Sequence, residues 1–151
     1  MSIVAKGTAA LRDLDGSHLG WTDWRRIAQR QVDLFAEATG DHQWIHVDPS
    51  RAANGPFGGT IAHGYLTLSL GPVLLSELLV VEGMTFGVNY GANKVRFPSP
   101  VKVGSNLRMG AEVTMVEDVP GGVQVSYTLT FETEGSPKPA CVAEVVYRYF
   151  D

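Results

Sequence analysis

The fold class is decided by residues 107–131, LRMGAEVTMVEDVPGGVQVSYTLTF, which hold two runs of alternating apolar and polar residues. The apolar positions are Leu107, Met109, Ala111, Val113 and Met115 in the first run, and Val123, Val125, Tyr127, Leu129 and Phe131 in the second. Successive side chains point to opposite faces of a strand, so each run predicts a strand with one buried face. Pro120-Gly121-Gly122 separates the runs and predicts a tight turn. Residues 107–131 therefore predict an antiparallel hairpin.

The same alternation continues on both sides of this hairpin. Beyond a turn at Gly135-Ser136-Pro137 it resumes over residues 143–149, which predicts a last strand. Upstream, residues 85–90 and 94–97 are predicted as two shorter strands. The C-terminal half thus predicts an antiparallel sheet whose apolar face must be covered by another element.

The covering element is predicted at residues 64–79, which are apolar on nearly all sides of a helix. Pro72 is expected to kink or interrupt this helix, because proline removes a backbone hydrogen bond and clashes with the preceding turn. An earlier helix, Gln29–Thr39, is predicted from its single apolar stripe, and Gly40 follows where a glycine commonly ends a helix. Residues 41–46 are predicted as irregular chain. The sequence therefore predicts an α+β fold.

Composition bounds the class of protein. The chain has 151 residues, 44% hydrophobic and 19% charged, which predicts one globular domain over residues 1–151 with residues 1–20 as an N-terminal lead-in. A net charge of −4, without a basic stripe, argues against nucleic acid as a partner. No signal-peptide segment and no run of about 20 apolar residues is present, so we expect no membrane partner and a cytoplasmic location. The single cysteine, Cys141, fits a reducing compartment.

Candidate catalytic groups concentrate in one short segment. Three of the four histidines, His42, His46 and His63, lie there together with Asp41. A carboxylate and an imidazole five positions apart cannot share one helix face, but they can converge on irregular chain. Such a pair is what general acid–base chemistry on a water molecule requires. Asp41 and His46 are therefore the candidate pair.

The same segment resembles the signature of the MaoC-like family of (R)-specific enoyl-CoA hydratases. The residues that match this signature are Phe35, Ala36, Thr39, Gly40, Asp41, Ile45, His46 and Ala52. Downstream, Ile61-Ala62-His63-Gly64 is similar to the start of the family's central helix, and the resemblance covers most of the chain beyond residue 21. One departure is Gln43-Trp44, which stands where Asn-Pro is usual and leaves the acid and the imidazole in place.

The resemblance implies a hot-dog fold, in which a curved antiparallel sheet wraps around a long central helix, and a homodimer. It implies that Asp41 and His46 hold a water molecule and exchange its protons, while the backbone N–H of Gly64 stabilises the thioester oxygen. It also places Tyr65 and Asn93 near the substrate, and His63 and Arg96 are two further candidate substrate-binding residues. The implied reaction is the reversible addition of water to a trans-2-enoyl-CoA, giving an (R)-3-hydroxyacyl-CoA in fatty-acid metabolism, with no cofactor apart from the substrate's own CoA.

Several alternatives stay open. A hot-dog acyl-CoA thioesterase would attack the carbonyl carbon, and a non-catalytic acyl-binding subunit of a hydratase/dehydratase heterodimer would bind without turnover. His63 either orients the helix start or simply packs. His42 and His46 have a spacing that suits zinc on a helix, but no third ligand is evident, so no metal is expected. Asp48 is better explained as an N-cap. The basic residues that either meet CoA phosphates or are ordinary surface charge are Arg51, Lys94, Arg96 and Arg148.

Overall fold

The structure is a computed structural model that describes all 151 residues, and a six-stranded antiparallel sheet dominates it. The strands of the chain are β1 (Ile3–Lys6), β2 (His18–Trp21), β3 (Arg25–Arg26), β4 (Leu79–Glu82), β5 (Phe86–Arg96), β6 (Asn106–Val119), β7 (Gly122–Thr133) and β8 (Cys141–Phe150). The sheet order is β2-β6-β7-β8-β5, with β3 also paired to β6. Strands β1 and β4 form a separate parallel pair. β2 and β5 are therefore the edges of the sheet.

Six helices accompany the strands. They are α1 (Gly7–Arg12), α2 (Gln29–Thr39), α3 (Trp44–Val47), α4 (Pro49–Ala52), α5 (Gly64–Ser69) and α6 (Gly71–Leu78). Helix α6 lies against the apolar face of the sheet, where a Cβ on Gly71 would stand 3.1 Å from Leu129 Cδ1. The predicted antiparallel sheet with an apolar helix on its face, the hot-dog arrangement, is confirmed.

The central helix is not the single long helix that was predicted. It consists of α5 and α6, which Leu70 separates. Pro72 is the second residue of α6, a position where its missing N–H costs little, so the interruption falls just before the proline. The expectation that Pro72 marks a break is confirmed.

The predicted hairpin is confirmed, with Val119 paired to Gly122 across the turn. Its inward residues are buried except Met115, which is 47% exposed. A register shift between Val113 and Met115 adds one residue to β6, which turns the following side chains to the other face. The burial predicted for Met115 is therefore wrong.

Residues 85–97 also differ from prediction, since they form one strand, β5, rather than two. The strand stays paired with β8 through two register shifts, at residues 89–91 and 92–94. Such bulges break the alternation without ending the strand, which is why the sequence pattern suggested two pieces.

The lead-in is more ordered than its sequence pattern suggested. β1 pairs with β4, and Leu11 of α1 is buried. A core of 26 buried residues includes Ala5 near the start of the chain and Tyr147 near its end. No helix of the structure is both long enough and apolar enough to span a membrane.

Candidate active site

The end of α2 positions Asp41. Gly40 takes a left-handed conformation, with φ of 82°, and its N–H donates to the Ala36 carbonyl at 2.8 Å. This αL ending turns the chain away from the helix axis directly before Asp41. The Asp41 carboxylate, which is exposed, accepts a hydrogen bond from the Gln43 N–H at 3.3 Å. Asp41 thus lies just beyond the helix, at the surface.

His46 lies on a helical turn, α3, and not in irregular chain as predicted. The turn forms because the His46 N–H donates to the Gln43 carbonyl at 3.0 Å. The ring is buried, with 7% exposed, and its Nδ1 lies 2.7 Å from the Ile61 carbonyl oxygen. Because a carbonyl oxygen only accepts, Nδ1 carries the hydrogen and Nε2 keeps a lone pair in the neutral ring. Burial lowers the pKa of His46, although the Ile61 hydrogen bond opposes this shift.

Asp41 and His46 come together as predicted. One carboxylate oxygen of Asp41 lies within 4.8 Å of a ring nitrogen of His46, and no direct hydrogen bond joins the two side chains. One water making two hydrogen bonds of about 2.8 Å spans at most roughly 5.6 Å. The two atoms are therefore within the span of a single bridging water.

His63 contacts both members of this pair. Its ring stacks on that of His46, with centroids 3.8 Å apart and an interplanar angle of 23°. Its Nε2 lies 3.0 Å from the backbone oxygen of Asp41 and 3.9 Å from a carboxylate oxygen of the same residue. Its Nδ1 is buried without a hydrogen-bond partner. The His63 side chain makes no hydrogen bond to the start of α5, so orientation of the helix start, one of the two roles left open, is not observed. Its contacts are instead with the His46 ring and the Asp41 backbone.

An open cleft of about 320 Å³ adjoins His46. Its other lining residues are Phe57, Ile61, Ala62, Gly64, Thr67, Phe97, Pro98, Ser99, Pro100, Val101 and Ala140. Gly64 is the first residue of α5, and its backbone N–H has no acceptor within the protein. A Cβ on Gly64 would stand 3.1 Å from the Phe97 ring, so a side chain there would crowd the cleft. The cleft walls are mostly apolar, and their polar groups include the His46 imidazole, the free Gly64 N–H and the hydroxyls of Thr67 and Ser99. Asp41 does not line the cleft.

The structure supplies the third potential metal ligand that the sequence did not reveal. Ligand atoms of Asp41, His46 and His63 lie within 4.8 Å of one another, and His42 is not part of the cluster. Stacked imidazoles direct their in-plane lone pairs side by side, whereas a tetrahedral site needs lone pairs that converge on one point. The cluster therefore fits a metal poorly.

Three residues predicted near the substrate are not among the residues that line the His46 cleft. Tyr65 is 72% exposed and packs edge-on against Phe97. Asn93 lies at the second bulge of β5 and is exposed. The exposed guanidinium of Arg96 donates to the Val95 carbonyl at 2.7 Å. None of the three lines the cleft, so a substrate role for them stays a prediction.

Two of the other basic residues are held by aromatic rings. The Arg51 guanidinium lies 4.3 Å from the Trp44 ring centroid, and that of Arg148 lies 3.5 Å from Tyr90. Lys94 is exposed and has no ion pair. These contacts account for Arg51 and Arg148 without a ligand.

Trp44 and Asp48 stand at the two ends of α3, the helical turn that carries His46. Asp48 accepts a hydrogen bond from the Arg51 N–H at 3.0 Å, which confirms it as the N-cap of α4. Trp44 packs so closely on Gly55 that a Cβ there would stand 3.0 Å from the indole. Trp44, which stands where the signature usually has proline, therefore packs on the loop that leads to Phe57, a residue that lines the cleft.

Gln29 and Thr60 are residues of the site that the sequence did not indicate. The Gln29 side chain donates to the His46 carbonyl at 2.7 Å and accepts from the Thr60 hydroxyl at 2.6 Å. A glutamine at a helix start and a threonine in a loop are common and carry no local signal. Only the folded arrangement shows that they meet beside His46.

Residues 14–134 match the family model described as "MaoC like domain". The chain is 54% identical over 145 residues to 3-hydroxyacyl-thioester dehydratase Z of Mycobacterium tuberculosis, an alignment that covers 95% of this chain and 96% of that protein. It is 45% identical over 131 residues to nodulation protein N of Rhizobium leguminosarum bv. viciae, covering 85% and 81%.

A solved structure agrees with the fold. The (R)-hydratase of Aeromonas caviae, described as involved in PHA biosynthesis, superposes with a TM-score of 0.73 at 28% identity. The superposition covers 88% of this chain and 94% of that one. The similarity thus extends over nearly the whole sheet and its helices.

Proposed function

Because this chain belongs to the MaoC-like dehydratase family, we propose that it is an (R)-specific enoyl-thioester hydratase acting in fatty-acid metabolism. It would add water reversibly to a trans-2-enoyl-CoA, or dehydrate the (R)-3-hydroxyacyl thioester in the reverse direction. The observation that carries the proposal is that the Asp41 carboxylate and the His46 imidazole lie within 4.8 Å of each other, with His46 lining a mostly apolar cleft. No cofactor is needed apart from the CoA of the substrate.

His46 is suited to accept a proton from the water. Its Nδ1–H is committed to the Ile61 carbonyl, so Nε2 is the nitrogen free to accept. The lowered pKa of His46, caused mainly by burial, keeps the ring neutral near pH 7. Asp41, on the other side of the gap, orients the same water as a hydrogen-bond acceptor.

Addition then proceeds without a covalent enzyme intermediate. The water oxygen bonds to the β-carbon as one of its O–H bonds breaks, and the π electrons move toward the thioester oxygen. The free N–H of Gly64 stabilises the negative charge on that oxygen. A proton from the Asp41–His46 pair then reaches the α-carbon, so the net change is one water added across the double bond.

His63 would act on this chemistry through its neighbours. Its stacked ring fixes the plane of the His46 ring, and its Nε2–H holds the Asp41 backbone. We therefore assign His63 a positioning role rather than the substrate contact expected from the sequence.

A homodimer is part of the proposal, and β5 is the strand that supports it. β5 pairs with β8 on one side only, so its other edge is open along 11 residues. Phe86, Val88 and Tyr90 on this strand are between 41% and 58% exposed. A long, apolar, unpaired edge favours pairing with another strand. The buried, unpaired Cys141 fits the cytoplasmic location we propose.

The test is hydration of crotonyl-CoA by the purified protein, followed as loss of absorbance of the conjugated double bond. The proposal predicts turnover and an (R)-3-hydroxybutyryl-CoA product on chiral analysis. A parallel assay measures free thiol released from butyryl-CoA. Thiol release without hydration would identify a thioesterase, and tight binding without turnover would identify an acyl-binding subunit. Turnover only with an acyl-carrier-protein thioester would keep the reaction and change the carrier.

A further inference from the structure

We propose that Gln29 is a positioning residue, which holds the imidazole of His46 in place by joining the two backbone segments on either side of it. This inference rests on the proposed function for its kinetic consequences, but not for its structural ones. The first segment is α3, which carries His46. The second is residues 60–63, whose Ile61 carbonyl receives the His46 Nδ1–H.

The Gln29 amide is fully engaged. Its nitrogen donates to the His46 carbonyl at 2.7 Å and to Asp33 Oδ1 at 2.9 Å, and its oxygen accepts from the Thr60 hydroxyl at 2.6 Å. A carbonyl and a carboxylate only accept, so the nitrogen must face them and the oxygen must face the hydroxyl. The amide therefore has one orientation, fixed by its three partners.

This arrangement acts on the ring through the backbone. One partner of Gln29 is the hydroxyl of Thr60, the residue directly before Ile61 in the sequence. The other is the backbone carbonyl of His46 itself. One direct backbone bond, from the Ile61 N–H to the Ile45 carbonyl at 3.0 Å, also joins the segments. Gln29 adds a second connection from α2, so both ends of the His46–Ile61 hydrogen bond are held. Asp41, His63 and Asp33 are the other titratable groups around this connection.

The experiment uses Gln29→Met, which keeps the side-chain length and removes all three hydrogen bonds. The matched control is Gln31→Met on the same helix, since the Gln31 side chain makes no hydrogen bond. We expect kcat on crotonyl-CoA to fall ~10-fold or more, with KM unchanged within about twofold, because a displaced catalytic group slows the chemical step more than binding. We expect Gln31→Met to match the parent protein.

A readout independent of activity is the His46 titration followed by NMR. Loosening the two segments admits water to the ring, so in Gln29→Met the His46 pKa should rise toward its ordinary value near 6.5. If crotonyl-CoA were not hydrated at all, the proposed function would fail while this titration still tested Gln29. An unchanged titration together with an unchanged kcat in Gln29→Met would overturn the inference.

Two further variants extend the test. Gln29→Glu replaces Gln29→Met if that variant does not fold, and Thr60→Val tests whether Gln29 and Thr60 act together. Gln29→Glu keeps the acceptor for Thr60 and loses the N–H donors, so it should show the same kcat loss if Gln29→Met does not fold. Thr60→Val removes the other half of the connection. The double variant Gln29→Met/Thr60→Val should lose no more activity than the worse single variant. Fully additive losses would contradict the inference.

Discussion

At the scale of single residues, the proposed reaction depends on the protonation state of the His46 ring. Asp41 and His46 were predictable, because an acid, an imidazole and their neighbours resemble a family signature. The structure brings the two side chains to water-bridging distance, which spacing alone could not establish. The stack of His63 on His46 was not predictable, since 17 residues separate them in sequence. Nor was Gln29, whose partners lie 17 and 31 positions away.

The lowered pKa of His46 predicts the acid limb of the pH profile. Burial favours the neutral ring, which is the form able to accept a proton from water. As the pH falls through the His46 pKa, the ring gains a proton and activity is lost. The midpoint of the acid limb in kcat/KM should therefore lie below pH 6.5, which is the ordinary pKa of a histidine side chain. His42→Gln, at an exposed neighbour, should leave the limb in place. A limb at or above 6.5 would show that His46 is not the buried neutral base described here.

Gly64 provides a second test at this scale. Gly64→Ala keeps the N–H but adds a Cβ 3.1 Å from the Phe97 ring, so the ring or the start of α5 must move. We expect kcat/KM on crotonyl-CoA to fall ~10-fold or more, since misplaced groups are costly. The control is Gly59→Ala, where a Cβ meets nothing within 4 Å and φ is ordinary. Equal activity of the two variants would exclude a role for close approach at Gly64.

At the scale of elements, the ending of α2 controls where Asp41 stands. Gly40 has φ of 82°, a conformation that an L-residue adopts at a cost of roughly 1–2 kcal/mol. Gly40→Ala should lower the free energy of unfolding by about 1 kcal/mol in urea titrations and also reduce kcat. Gly40→Asn should lose less, because asparagine tolerates the left-handed region. Equal stabilities of Gly40→Ala and the parent would mean that this helix ending is not under the constraint described.

The helices and strands also show which parts of the fold the sequence patterns could predict. Helix α2 was predicted with its observed bounds, because one stripe and a terminal glycine mark it. β6, β7 and β8 were predicted because their apolar residues alternate with polar ones, and the apolar side chains face one continuous core. β5 was predicted as two strands because its bulges at Tyr90 and Asn93 shift the alternation. Helix α3 was missed because four residues are too few for a periodic pattern.

At the scale of the whole molecule, the open edge of β5 predicts a dimer of identical chains. Light scattering at micromolar concentration should give about twice the mass of one chain, 16.3 kDa. Val88→Asp places a charge on the exposed face of this strand and should shift the protein toward monomer. Met115→Asp, at an equally exposed position on β6, should stay dimeric. A monomeric parent protein would reject the dimer.

In the proposed reaction Asp41 and His46 hold one water molecule between them, and kcat/KM for crotonyl-CoA in two variants tests this arrangement. Asp41→Asn and His46→Gln each keep the size of the side chain and remove its acid–base function. We expect each variant to lower kcat/KM by at least ~10²-fold, which is the usual contribution of a positioned proton-transfer group. We expect His42→Gln to retain parental activity. Near-parental activity in either Asp41→Asn or His46→Gln would contradict this arrangement.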